Sequence, residues 1–280
     1  MTEDIFFLDN EQVKVTAAAV GISRIRWTHV REEDISSGKY IELMKENRFD
    51  HLPIVSSDNV ITHYYKTDTP NDYDVKSIKK HRINYEDILP LDTNIKDVIE
   101  KFAHRNRTFF FLSYHRNIAG LITLGNLNCK QVQVYIFSLI CELERELAEF
   151  VNYHLTALEI IEWVTSKVNK DDPQDKYQSM LKFFESLASV DLENKLTEHF
   201  FLVDLINIII EKGLYSKLSY SKDEWKKLGG INELRKRIAH PTRTLLDRDN
   251  DIQRLWKRIC KVDDLIFRLI SYRKSTLSCD

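Results

Sequence analysis

Two stretches in the first half of the sequence carry one pattern 58 residues apart. Placing Tyr40 over Val98 sets Ile41 over Ile99, Met44 over Phe102, Leu52 over Phe110 and Ile54 over Leu112. In each copy the apolar residues first recur every three to four positions, as on one helix face (KYIELMKENR and IKDVIEKFAHRN). They then run together, as in a buried strand, over HLPIV or FFFLSY. A polar hairpin and a second strand follow. NVITHYY (59–65) and GLITLGN (120–126) align on Thr62 and Thr123, with three extra residues in the second hairpin. A further strand is read at VKVTAAAV from Val13. A repeated helix, strand, hairpin and strand predict an α+β region over residues 1–128.

From Asn128 the pattern changes. No proline occurs between Pro90 and Pro173, and apolar residues recur at Val132, Ile136, Leu139, Leu143, Leu147, Phe150, Leu155, Leu158 and Ile161. That spacing predicts one long amphipathic helix. After a loop over KVNKDDPQDK, further helices are expected near 176–190, 194–212, 222–239 and 249–273, the last capped by Asp249 or Asn250. Trp163, Trp225 and Trp256 fall at helical positions and are expected in the core. Residues 129–280 therefore read as an all-α bundle.

The rest of the sequence excludes several classes. The 280 residues contain 41 Lys and Arg against 43 Asp and Glu, so the whole chain is no polycation. Four cysteines without a paired short spacing argue against a disulfide scaffold or zinc ribbon and fit a cytoplasmic protein. No HExxH pair is present, and no metal site is expected. The opening MTEDIFFLDNEQ lacks the pattern of a signal peptide, and FLVDLINIII, interrupted by Asp204 and Asn207, reads as a core helix, so no membrane association is expected. GxGxxG, GxxxxGK[ST] and GxSxG are all absent, which removes the phosphate turns and nucleophile elbow those motifs supply.

The unit of HLPIV, hairpin and G-x-x-T-x-x-N resembles a CBS (cystathionine β-synthase) domain, and the two copies resemble the usual tandem pair. That resemblance implies an adenine nucleotide held between the repeats as a regulatory ligand, with a Thr and a following Asp on ribose and phosphate. Thr62 and Thr123 stand at the Thr position. Asn126 replaces the Asp of the second copy, and Tyr65 that of the first, where Asn59 also replaces Gly. Asn126 can bond a hydroxyl but brings no charge, while Tyr65 fills space. As residues alone, Thr62 and Thr123 also suit ordinary strands.

The second half contains Leu234-Arg235-Lys236-Arg237-Ile238-Ala239-His240-Pro241. An all-α bundle with Arg, four residues, His and Pro near its end resembles the HEPN (higher eukaryote and prokaryote nucleotide-binding) superfamily. The resemblance implies a metal-independent endoribonuclease with Arg235 and His240 as catalytic residues, although Lys236 stands where Asn is frequent. The residue types suit that chemistry. An imidazole titrates near neutrality and moves the protons of 2′-OH attack, while a guanidinium grips the phosphate as charge develops. Residues five apart on an ideal helix lie about 140° apart, but Pro241 disfavours helical geometry at His240. Arg237 and His240, three apart, would instead share a face.

HEPN ribonucleases typically dimerise so that two such pairs line one cleft, which implies a homodimer through the C-terminal bundle. Residues 221–274 hold 15 Lys and Arg against 8 Asp and Glu, a local basic excess suited to RNA. Lys236, Arg237 and Arg243 are the expected RNA contacts. By analogy such a protein would serve as a stress or phage-defence effector. The residues also permit a non-catalytic reading, a nucleotide-responsive dimerisation protein or an RNA-binding sensor. In that reading His240 meets terminal carbonyls and Arg235 pairs with Glu233 or a carboxylate of the long helix. Glu142, Glu144, Glu146 and Glu149 cluster on that helix and are expected to face solvent.

Overall fold

The computed structural model describes residues 14–105, 107–169, 171–172, 174–188, 195–240, 242–247 and 251–277. The chain divides into two compact units. The first is Lys14–Val132 with Leu246–Gln253, and the second is Gln133–Leu245 with the chain from Arg254. The division therefore falls inside a helix rather than after residue 128, and a later segment joins the first unit. The Asn128 side chain explains that return: it accepts from the Leu246 N–H at 2.8 Å and donates to the Leu246 carbonyl at 3.3 Å.

The first unit runs α1 (Ala17–Val20), β1 (Ile22–Ser23), β2 (Val30–Arg31), α2 (Lys39–Asn47), β3 (His51–Val55), β4 (Ile61–Thr67), β5 (Ile78–Arg82), β6 (Ile88–Pro90), α3 (Ile95–Arg105), β7 (Phe109–Tyr114) and β8 (Asn117–Thr123). It forms two four-stranded sheets, β2-β3-β4-β5 and β1-β8-β7-β6. In each copy a parallel pair flanks a helix, β2 with β3 and β6 with β7, and an antiparallel hairpin follows. Both hairpins shift register at equivalent positions, Ile54/Val55 and Leu112/Ser113. The repeat thus extends to a shared irregularity.

Strand pairing corrects the alignment inside the repeat. Leu52 faces Tyr65 and Phe110 faces Ile122, while Val55 faces Ile61 and Ser113 faces Ile118. The second hairpin is therefore one residue shorter, not three longer. Thr62 corresponds to Ala119, and Thr123 to Lys66. The shared Ile-Thr pair misaligns the copies because burial, not local identity, sets register. Tyr65 and Ile122 are the matched buried residues. The expected strand from Val13 is also corrected. Val13 lies outside the described residues, Thr16 makes a single bridge to Asn94, and the alanines that follow form α1, consistent with their high helix propensity.

Trp27, Val55, Ile61, Tyr64, Phe109 and Phe111 form a core drawn from both copies. The His51 ring lies against Phe109, centroids 3.8 Å apart. Gly120 is required where β1 meets β8, since a Cβ there would lie 2.4 Å from the Ile22 carbonyl oxygen.

The helices of the second half are α4 (Lys130–His154), α5 (Ala157–Lys167), α6 (Lys176–Ala188), α7 (Leu202–Glu211), α8 (Lys222–Lys226), α9 (Gly229–Ile238) and α10 (Ile252–Leu277). The expected single helix through Ile161 breaks after His154. Thr156 caps α5, accepting from the Glu159 N–H while Glu159 accepts from the Thr156 N–H. This reciprocal T-x-x-E box overrides the continuous apolar spacing. The helix expected over 194–212 reduces to a 3-10 turn at Leu196–His199, extended backbone at Phe200 and Phe201, and α7. That over 222–239 divides into α8 and α9. The proposed caps Asp249 and Asn250 lie outside the described residues.

Trp225 is fully buried and donates to the Ile206 carbonyl at 3.0 Å; Trp163 is buried, whereas Trp256 is only half-buried. Asp204 is completely buried, and its carboxylate accepts from Lys176 at 2.6 Å, Tyr177 at 2.9 Å and the Phe201 N–H at 3.1 Å. Such full pairing is what a buried charge requires. Among the described residues no helix is long and apolar enough to cross a membrane.

Candidate active site

Ile231, Leu234 and Ile238 form the buried stripe of α9, and Arg235 emerges half-buried at its margin. Its Nε lies 3.4 Å from Glu144 Oε1 on α4. The same carboxylate oxygen accepts the Leu202 N–H, which opens α7, at 3.2 Å. On another side the Arg235 guanidinium carbon lies 5.1 Å from the Phe201 ring centre. One charged and one aromatic neighbour thus limit the orientations open to a long side chain.

These contacts correct the expectation for the α4 carboxylates. Glu144 is half-buried against Arg235. Glu146 is buried, with Arg145 and Arg273 each 3.2 Å away, and Glu149 meets Arg273 at 2.5 Å. Glu149 alone of the four is exposed. Residues three to four apart share a helix face, so the cluster wraps around α4 rather than lying on one solvent side.

α9 ends at Ile238. The Ala239 N–H donates to the Arg235 carbonyl at 3.0 Å, and the His240 N–H donates to Arg237 at 3.2 Å, a tightened final turn. His240 is exposed, and its imidazole makes no hydrogen bond with any described residue. Pro241, expected to end the helix, lies outside the described residues. Arg237 does not pair with His240 on a regular turn: its Nη1 donates to the Thr244 carbonyl at 3.1 Å. Gln133 of α4 donates to the Arg243 carbonyl at 3.1 Å, anchoring the turn that carries His240. The Arg243 side chain is exposed, and Lys236 pairs with Glu233 at 3.1 Å.

A second helix contributes to this basic region. Burial, and then the charges of Arg254 and Arg237, push the Arg258 guanidinium below its usual pKa, with Glu233 opposing. Arg254 and Arg258, one turn apart on α10, therefore lie within electrostatic reach of Arg237. The sequence reading missed Arg254, Arg258 and Phe201, and did not single out Glu144. The basic excess after residue 221 pointed to the first two; no local motif points to Phe201.

In the first unit, Thr123 ends β8 and caps a 3-10 turn, Leu124–Asn128. Asn126 Oδ1 accepts from the Thr123 N–H at 2.8 Å and from its hydroxyl at 2.9 Å. Asn126 thus closes the turn with its oxygen and keeps its amide N–H groups as donors. Thr62 lies on an exposed strand position with its hydroxyl 2.9 Å from His63 Nδ1. Tyr65 is buried and stacks on Tyr40, centroids 4.1 Å apart. It is a core residue of the first copy. Among the described residues no group of three or more His, Cys, Asp or Glu side chains is placed to hold a metal.

No protein-family profile matches the chain, and no curated protein matches it. Solved structures similar to its N-terminal part do exist. CBS domains of a transcriptional regulator from Streptococcus pneumoniae are 17% identical, covering 40% of this chain and 96% of theirs, with a TM-score of 0.33. CBSX2 in complex with AMP is 15% identical over 43% of this chain and 98% of its own, with a TM-score of 0.34. The CBS domain of a bacterial CNNM/CorC family Mg2+ transporter in complex with ATP is 15% identical, covering 40% and 84%, with a TM-score of 0.31. All three are CBS domains. None of these three matches covers even half of this chain.

Proposed function

We propose that the protein is a metal-independent endoribonuclease whose activity is regulated by an adenine nucleotide bound in its N-terminal repeats. The observation that carries this reading is the state of the two motif residues. Arg235 lies against Phe201 and pairs with Glu144, the α4 carboxylate contact that the non-catalytic reading also expects, while His240, just beyond the same helix, is open to solvent with its imidazole unengaged, which that reading does not expect. A fixed cation and an available imidazole are the two groups that 2′-OH transesterification requires.

In that reaction the 2′ oxygen attacks phosphorus, a P–O2′ bond forms and the P–O5′ bond breaks. One proton leaves the 2′-OH and another reaches the departing 5′ oxygen, so the products are a 2′,3′-cyclic phosphate and a 5′-OH. Arg235 holds the scissile phosphate, and Lys236, Arg237 and Arg243 bind the flanking backbone. His240 performs one proton transfer, and His240 of a second copy performs the other. The homodimer forms through the C-terminal bundle. Exposed Val134 and Phe137, three apart on α4, supply an apolar strip for it.

The nucleotide acts at the Thr123 and Asn126 turn, whose side chains present a hydroxyl and amide donors. Ligand binding biases the dimer arrangement and hence cleavage. The fitting cellular setting is a cytoplasmic stress or defence effector.

The test is incubation of the full chain with mixed RNA in EDTA, with and without AMP or ATP. Cleavage to 2′,3′-cyclic ends, abolished by both Arg235→Ala and His240→Ala, is the expected result. RNA bound but uncut would leave a binding sensor; neither binding nor cleavage, with a nucleotide-induced rise in Tm, would leave a non-catalytic dimerisation protein.

A further inference from the structure

We infer that Phe201 is a stacking platform for an unpaired RNA base, set beside Arg235 so that the adjoining phosphate reaches the guanidinium. The inference rests on the ribonuclease reading and deepens it: the substrate is single-stranded RNA. Phe201 immediately precedes α7 and is 47% exposed. Its place at the helix start needs only its backbone N–H, which donates to buried Asp204 at 3.1 Å. Any residue but proline supplies that group, so the cap does not explain an aromatic ring in water.

The surroundings of the ring are fixed, and the two cations beside it, Arg235 and Lys176, are paired with Glu144 and Asp204. Asp204 is anchored by Lys176 and Tyr177, and the following N–H, that of Leu202, is held by Glu144. The Arg235 guanidinium carbon lies 5.1 Å from the ring centre and Lys176 Nζ 5.9 Å from it. A rigid, half-open aromatic beside the guanidinium assigned to the phosphate combines the two elements of sequence-tolerant single-strand binding, a ring for the base and a cation for the backbone. Bases in a duplex are already stacked, so the platform selects unpaired nucleotides.

The experiment measures affinity of the full chain for a 2′-O-methyl RNA 12-mer, which has no 2′-OH to react. A set of 12-mers carries one abasic residue moved through every position. Phe201→Ala is expected to weaken binding about 5- to 150-fold. Phe201→Trp restores it, and Phe201→Leu, which keeps apolar bulk without a ring, does not. One abasic position weakens the wild type and leaves Phe201→Ala unaffected. Should Phe201→Ala misfold, the Trp and Leu variants carry the comparison. Leu binding as well as Trp, or no abasic position mattering, overturns the inference. RNA cut by the wild type with Phe201→Ala equally active would remove the platform and keep the ribonuclease; stacking without cleavage of ordinary RNA would do the reverse. No RNA binding by the wild type removes both.

Discussion

Arg235 of α9 and Glu144 of α4 form an ion pair at 3.4 Å, and the same Glu144 oxygen receives the N–H of Leu202 at the start of α7. One half-buried carboxylate therefore joins three helices and aims the guanidinium. Glu144→Ala should lower stability to urea by about 1–3 kcal/mol, because it leaves a backbone N–H and a guanidinium without their acceptor. Glu144→Gln keeps an acceptor for Leu202 and should cost about 1 kcal/mol. Both should slow RNA cleavage, since Arg235 loses its orienting charge.

Arg235 and His240 should separate in stability although the proposed cleavage depends on both. His240→Ala removes an exposed, unbonded side chain and should change unfolding free energy by less than about 0.5 kcal/mol. Arg235→Ala strips Glu144 of its cation and should destabilise by about 1–2 kcal/mol. Urea melts set beside cleavage rates check this. A large stability loss in His240→Ala would make the imidazole structural.

Acid should destabilise the first unit through His51. Burial, then Lys66 and His81, lower its pKa from 6.5 to about 3. The unfolded chain therefore takes up a proton near pH 6.5 that the fold refuses. The stabilisation from neutral His51 is complete above pH 6.5 and is lost as pH falls towards about 3. Between those values this group adds a slope of up to about 1.4 kcal/mol per pH unit. His51→Phe should flatten the fall in unfolding free energy between pH 6 and pH 4, measured by urea titration at each pH.

The nucleotide response should depend on Thr123 and not on Thr62. Thr123→Val removes the hydroxyl that bonds Asn126 and should reduce any rise in Tm produced by AMP or ATP. Thr62→Val, at a position equivalent to Ala119, should leave the rise unchanged. Equal losses in both variants would contradict the strand register as a guide to the ligand turn.

Glu146 tests the buried charge of α4. Arg273→Met removes one of its two guanidinium partners while keeping bulk, and should cost about 2–3 kcal/mol in thermal or urea unfolding. The double variant Glu146→Gln with Arg273→Met should recover part of that loss, because no buried carboxylate then relies on Arg145 as its one remaining guanidinium partner.

Much of the first unit was legible because its signals are local and occur twice. The helix spacing of Ile41 and Met44 and the apolar runs at Leu52 and Phe110 mark α2, β3, α3 and β7 directly. The hairpin alignment was not legible: the common Ile-Thr pair competes with a register set by burial of Tyr65 and Ile122, which only strand pairing displays. In the bundle, the Thr156 and Glu159 box was present in the sequence and outweighs the apolar spacing around it. Arg235 and His240 were visible as a motif, but Phe201 has no sequence signal, since its surroundings come from α6 and α9.

Periodicity and repetition alone determined an α+β first half and a helical second half, because these follow from interactions a few residues long, and a short motif resemblance marked Arg235 and His240. Tertiary structure alone decided which carboxylate of α4 holds Arg235, that Tyr65 belongs to a core, and that a half-exposed aromatic stands beside Arg235 and Lys176. Those outcomes depend on which faces of distant segments meet, and that is set by the packing of whole helices and sheets rather than by residue order.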